Sequence, residues 1–137
     1  MTGPVIEYRT DRTVDVPAFK DILERSGLAA RRPVGDLERL GRMLKAYNLI
    51  VTAWDRELLV GIATCWTDYA HSAYLADLAV AADRQRSGIG RALVELTRAT
   101  VGPQVTLMLL SAPAAASYYP KIGMERFTDC FILRRSQ

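Results

Sequence analysis

A chain of 137 residues, half of them hydrophobic and 24% charged, suits one globular domain that buries an ordinary core without disulfide or metal staples. Its formal charge of +3 is too small, and its basic residues too scattered, to indicate nucleic acid; it mildly favours anionic ligands. No apolar run approaches the ~20 residues that span a bilayer, and Met1-Thr2-Gly3-Pro4 lacks a leader pattern, so a cytoplasmic protein without a membrane partner is expected.

Ile6 to Arg9 reads as a short first strand. Asp15 is a good N-cap, Pro17 fits a first helical turn, and Val16, Phe19, Ile22 and Leu23 recur at helical spacing until Ser26-Gly27. Arg31-Arg32-Pro33-Val34-Gly35 is a basic loop. Asp36 caps a second helix with Leu37, Leu40, Met43, Leu44 and Tyr47 on one face. Leu49 to Trp54 and Leu58 to Trp66 form a hairpin around Asp55-Arg56-Glu57. After the loop Asp68-Tyr69-Ala70-His71, a nearly continuous apolar strand runs from about Ala73 to Val80. A helix from about Gly88 to Thr100 stops at Gly102-Pro103. Val105 to Leu110 reads as a fully buried strand, Ala114 to Ile122 as a short helix, and Phe127 to Arg134 as a final strand. Strand, helix, strand makes the pair near residues 77 and 108 parallel neighbours. The expectation is an α/β (α+β) domain over 1–137, with a mixed sheet that is antiparallel at its start. Trp54 and Trp66 read as core. Cys65 and Cys130 sit in apolar runs, with free buried thiols as the default and no metal-ligand spacing.

The chemistry gathers at Asp83-Arg84-Gln85-Arg86-Ser87-Gly88-Ile89-Gly90-Arg91, a basic glycine turn between strand and helix. Free N–H groups and the helix dipole favour an anion at such a turn. A dinucleotide fold needs a third glycine, but Leu93 stands there; a P-loop needs Gly-Lys-Ser/Thr, which is absent. Gln85-Arg86-Ser87-Gly88-Ile89-Gly90 instead resembles the acetyl-CoA pyrophosphate loop of the GNAT superfamily of N-acetyltransferases. Leu78-Ala79-Val80 is similar to that family's strand end, and Tyr118-Tyr119-Pro120-Lys121-Ile122-Gly123-Met124 to its late F-Y-x-K-x-G-F segment. The resemblance is good from Leu49 onward and rests on element order before it.

The resemblance implies a GNAT-like acyl-CoA N-acyltransferase fold, with helices on both faces of the sheet and a splayed parallel strand pair that admits the pantetheine. It implies that the backbone of Leu78, Ala79 and Val80 binds coenzyme A and polarises the thioester. Gln85, Arg86, Ser87, Gly88, Ile89, Gly90 and Arg91 would hold the pyrophosphate. Many members carry Asn at the end of the later strand; Ser111-Ala112 stands there, leaving Ser111 as a candidate contact. Tyr119 matches the family's acid for the leaving thiolate, and its bland alternative is a core tyrosine. Asp77, an ionisable group in an apolar strand, is the candidate base, directly or through water, unless it pairs with an arginine or with bulge amides. His71, with Asp68 and Tyr69, could border an acceptor pocket, as could Glu24, Arg31 and Arg32, although solvated charges describe these as well. The expected function is acetyl transfer from acetyl-CoA to a primary amine by direct attack in a ternary complex. The acceptor is a small molecule or a peptide amine. The rival is a non-catalytic acyl-CoA-binding sensor or assembly module. Homodimers are common in the family, but no interface is evident in the sequence.

Overall fold

The first helix begins where the sequence places its cap. Asp15 accepts a hydrogen bond from the Ala18 amide at 2.9 Å, and Gly27 ends α1 (Val16–Ser26) in the left-handed conformation, φ 86°. In this computed structural model, which describes residues 5–137, β1 (Glu7–Arg9) precedes it. The N-terminal residues behind the no-leader expectation lie outside the described range. A 3₁₀ turn, Leu28–Arg31, leads to α2 (Leu37–Ala46), capped by Asp36. Then come β2 (Leu49–Asp55), β3 (Leu58–Thr67), β4 (Ser72–Val80), α3 (Ile89–Val101), β5 (Thr106–Met108) and α4 (Tyr118–Lys121).

The five strands lie in chain order, β1-β2-β3-β4-β5. The first three pairings are antiparallel and β4·β5 is parallel. The central strands are apolar on both faces, so the sheet buries two cores. Phe19, Ile22, Leu23 and Leu40 of α1 and α2 pack with Ile62 and Ala79. On the other face Ile89, Leu93 and Val94 of α3 pack with Val51, Val60, Ala63 and Leu75. Each such large side chain contributes roughly 1.5–3 kcal/mol on burial. Gly61 sets how closely α3 approaches: a Cβ there would stand 3.0 Å from both Ile89 Cγ2 and Leu93 Cδ1.

Five expectations are corrected. The later strand is shorter than expected and half-exposed, with Met108 and Leu110 open to solvent. It is the sheet's edge and departs from β4 after three residue pairs. The short helix from Ala114 to Ile122 splits into a 3₁₀ turn, Pro113–Ala115, and α4. The final strand, Phe127 to Arg134, is absent, and Phe127, Phe131, Ile132 and Leu133 are exposed. A strand exists only on a ladder, and the three-residue β5 offers little to pair with. Trp66 is exposed rather than core, whereas Trp54 is buried under the Arg12 guanidinium. Cys65 is buried, and Cys130 is exposed with the rest of its run.

Candidate active site

The parallel pair forms a V. Ser72, Ala73 and Tyr74 register with Thr106, Leu107 and Met108, and beyond them Leu75 to Val80 runs on without a partner on that side. The Ala81 amide donates to the Val60 carbonyl at 3.0 Å. Backbone alternation along an antiparallel ladder then gives Ala79 to β3 and turns the N–H and C=O groups of Leu78 and Val80 into the open cleft. Of the three candidate strand residues, two therefore offer backbone to a ligand and Ala79 does not.

The glycine loop closes the wide end of the V. Gln85 folds back so that Nε2 donates to the Val80 carbonyl at 3.0 Å, and Ser87 Oγ donates to the Arg84 carbonyl. Arg84 is tied to Asp55 of β2 at 2.7 Å. Arg86 and Gly88 both adopt the left-handed conformation, φ 66° and 88°. For Arg86 this conformation is strained, and such strain gathers where a chain must aim its amides. The first helical bond of α3 is Ala92 N–H to Gly88 C=O. The amides of Ile89, Gly90 and Arg91 thus stand free at the positive end of a thirteen-residue helix. A Cβ on Gly88 would meet nothing within 4 Å, so the space above the loop is open. These residues fit a pyrophosphate: donors, local positive charge and room.

α4 faces this loop from the other arm of the V. A Cβ at Gly90 would stand 2.8 Å from the Tyr118 hydroxyl, so Tyr118 lies directly over the first turn of α3. Tyr119 packs edge-to-face on Tyr118, ring centroids 5.3 Å apart. Burial pushes the Tyr119 phenol above its ordinary range, with Tyr118 adding to the shift. It therefore holds its proton at neutral pH, as a general acid must. The missing side chain at Gly90 is what leaves room for the Tyr118 ring there. Ser111 Oγ donates to the neighbouring Ala112 carbonyl at 3.0 Å.

Asp77 is 1% exposed and fully engaged. Oδ1 accepts from Arg32 Nε at 2.6 Å, and Oδ2 accepts from the Tyr47 and Thr64 hydroxyls, each at 2.7 Å. Burial, then the carboxylate, drives the Tyr47 phenol well above its usual range. Thr64 faces Asp77 and Cys65 faces Leu75, so Ala76 is the extra residue of a β-bulge. Of the alternatives to the base, the arginine partner is present; the bulge lies beside Asp77, but the carboxylate accepts hydroxyls rather than bulge amides. Arg32, Tyr47 and Thr64 were not assigned to Asp77 in the sequence, because partners 45, 30 and 13 residues away leave no local pattern.

His71, Asp68 and Tyr69 lie before β4, at the closed end of the V. Five residues of β4 lie between His71 and Asp77, a span of roughly 20 Å at the usual rise, so these groups are not brought together. His71 Nδ1 is 2.8 Å from Ser72 Oγ. Asp68 accepts the amides of His71, Ala70 and Ser72, which hold its carboxyl down to about 2. It shapes the loop. Trp66 lies between Tyr47 and Tyr74, with centroids at 5.3 and 5.6 Å. A depression of about 800 Å³ between the β1–α1 loop and α2 holds none of the cleft or loop residues. Among the described residues no His, Cys, Asp and Glu cluster could hold a metal, and no helix is long and apolar enough to cross a membrane.

Residues 46–126, more than half the chain, match the family model described as acetyltransferase (GNAT) domain. No curated protein is significantly similar in sequence. Solved structures are similar in fold. A GNAT-family acetyltransferase from Streptococcus pneumoniae is 22% identical, with TM-score 0.71, over 96% of this chain and 100% of that one. An aminoglycoside acetyltransferase from an uncultured soil metagenomic sample, in complex with sisomicin, is 19% identical, with TM-score 0.64, over 96% of each. An aminoglycoside N-acetyltransferase in complex with CoA is 13% identical, with TM-score 0.71, over 99% and 98%.

Proposed function

The chain belongs to the GNAT acetyltransferases, and from that premise we propose that it transfers acetyl from acetyl-CoA to the primary amine of a small molecule. The observation that carries this is the V-shaped cleft with its free amides: Leu78 and Val80 along one arm, Ile89 to Arg91 at its wide end. Acetyl-CoA would supply the activated thioester. The loop amides, with Arg86 and Arg91, would hold its pyrophosphate, while the backbone of Leu78 and Val80 would bond the pantetheine and orient the acetyl carbonyl. The neutral amine attacks, the C–N bond forms and the C–S bond breaks. Tyr119 gives its proton to the departing sulfur. Both oxygens of Asp77 are taken by other groups, so we assign it to order Arg32 and Tyr47, and the ammonium proton leaves to water in the open cleft. The small-molecule class is supported by the aminoglycoside enzymes among the similar folds.

Calorimetry with acetyl-CoA tests the cofactor assignment. The wild type is expected to bind, and Gly88→Glu, whose side chain enters the open space above the loop, is expected not to. Equal affinities would refute the site. A second reading, a binder that does not turn over, is favoured by Ala112 at the position where the family resemblance implies Asn and by the occupied Asp77 carboxylate. Free CoA thiol released in the presence of amines separates the two.

A further inference from the structure

Arg32 uses all three guanidinium nitrogens at one place. Nε bonds Asp77 Oδ1 at 2.6 Å, one terminal nitrogen bonds the Ala76 carbonyl at 2.9 Å, and the other bonds the Arg31 carbonyl at 2.9 Å. Ala76 is the residue that the β4 bulge leaves without a partner on β3, so Arg32 supplies the bond that the ladder does not. On its far side the same carboxylate holds Tyr47, at the end of α2, and Thr64 of β3. One side chain thus closes a ring between the loop Leu28–Asp36, the bulge and the C-terminal end of α2. A planar fork can span a carbonyl and a carboxylate together; a lysine ammonium is a point charge and cannot fix both directions. The residue after Asp77 is Leu78, the first of the two whose amides face the cleft. Arg32 is less than a quarter exposed, whereas its neighbour Arg31 is open to solvent.

We propose that Arg32 is a positioning residue for acetyl transfer: its fork holds the bulge at Ala76-Asp77 in the orientation that presents the Leu78 N–H to the acetyl carbonyl, and brings the loop Leu28–Asp36 to the same point. This rests on the acetyl-CoA reading above and goes beyond it, since Arg32 touches neither the cofactor loop nor the cleft amides.

The test reads the Leu78 amide directly. The full chain is labelled with ¹⁵N-leucine, the Leu78 resonance is identified by its loss in Leu78→Ile, and spectra are compared with CoA and with acetyl-CoA, which differ by the acetyl carbonyl. In the wild type the amide shifts further with acetyl-CoA than with CoA. In Arg32→Lys that difference falls by about half or more, while the calorimetric Kd for CoA stays within about threefold. Thiol release then shows kcat down about tenfold at unchanged KM for acetyl-CoA. Asp77→Asn, which keeps an oxygen for Tyr47 and Thr64, shows the same partial loss, and Arg98→Lys, at an exposed position in the last turn of α3, shows none. An unchanged acetyl-dependent shift in Arg32→Lys overturns the proposal. So does a parallel collapse of CoA affinity, which is the mark of a merely structural role. A wild type that binds CoA without any acetyl-dependent Leu78 shift overturns the proposal alone. One that binds no CoA overturns the cofactor reading and this proposal with it.

Discussion

Gly61→Ala tests how the sheet sets the position of the cofactor loop. The new Cβ would stand 3.0 Å from Ile89 Cγ2, 3.0 Å from Leu93 Cδ1 and 3.4 Å from Ala53 Cβ. All three neighbours are buried, so none can swing into solvent, and α3 must lift by a few tenths of an ångström. Overpacking of this kind costs about 1–3 kcal/mol. Replacing a strand glycine returns roughly 0.5–1 kcal/mol of backbone entropy. Strain wins, and a net loss of about 1 kcal/mol lowers Tm by roughly 3–5 °C for a chain of this size. Ile89 is also the first residue of α3, so the lift moves the free amides at its start. CoA affinity should fall about fivefold, roughly 1 kcal/mol. The assays are thermal unfolding and calorimetry with CoA. Gly35→Ala, where a Cβ meets nothing within 4 Å, serves as control and should stay within about 0.5 kcal/mol of the wild type. A Gly61→Ala protein with unchanged Tm and unchanged CoA affinity would refute the close seating of α3 on β3.

Asp77→Ala strands the Arg32 guanidinium and two hydroxyls, and should cost about 3 kcal/mol in chemical denaturation; a loss under 1 kcal/mol would contradict the buried pair. Because Tyr47 holds its proton more tightly when folded, its share of stability is full below pH 10 and is lost as pH rises into its raised folded range. Tyr47→Phe should therefore flatten the alkaline fall in stability measured by urea titration above pH 10. Tyr119→Phe should lower kcat by about 10² while leaving the Kd for CoA unchanged. With its phenol raised by burial, the wild type should lose no turnover to Tyr119 ionisation below pH 10.

Local signals in the chain translated well into structure. Asp15, Gly27 and Asp36 bound their helices because a cap is a contact within three or four residues. The hairpin turn and the order of strands around the glycine loop were legible for the same reason. Tertiary signals were not. The partners of Asp77 come from three other elements, and the demand for a cation could be read although Arg32 could not be singled out. Gly61 sits mid-strand with nothing local to mark it as the seat of α3. The apolar run Val105 to Leu110 read as buried, since composition does not distinguish a central strand from an edge that diverges. Phe127 to Arg134 shows the limit of β-propensity, which describes fit to a neighbour and needs one. The seat of Tyr118 over α3 was not legible because it depends on the space that Gly90 leaves.

The central claim is that this cleft transfers acetyl to an amine. Incubation with ¹³C-acetyl-CoA and a mixed library of small amines, read by mass spectrometry, tests it most directly. The expected result is labelled N-acetyl product on at least one amine, with matching release of free thiol, and near-complete loss of both in Gly88→Glu. Tight CoA binding with no labelled product from any amine in the library, nor from a panel of lysine peptides, would contradict the claim and leave the chain a binding module.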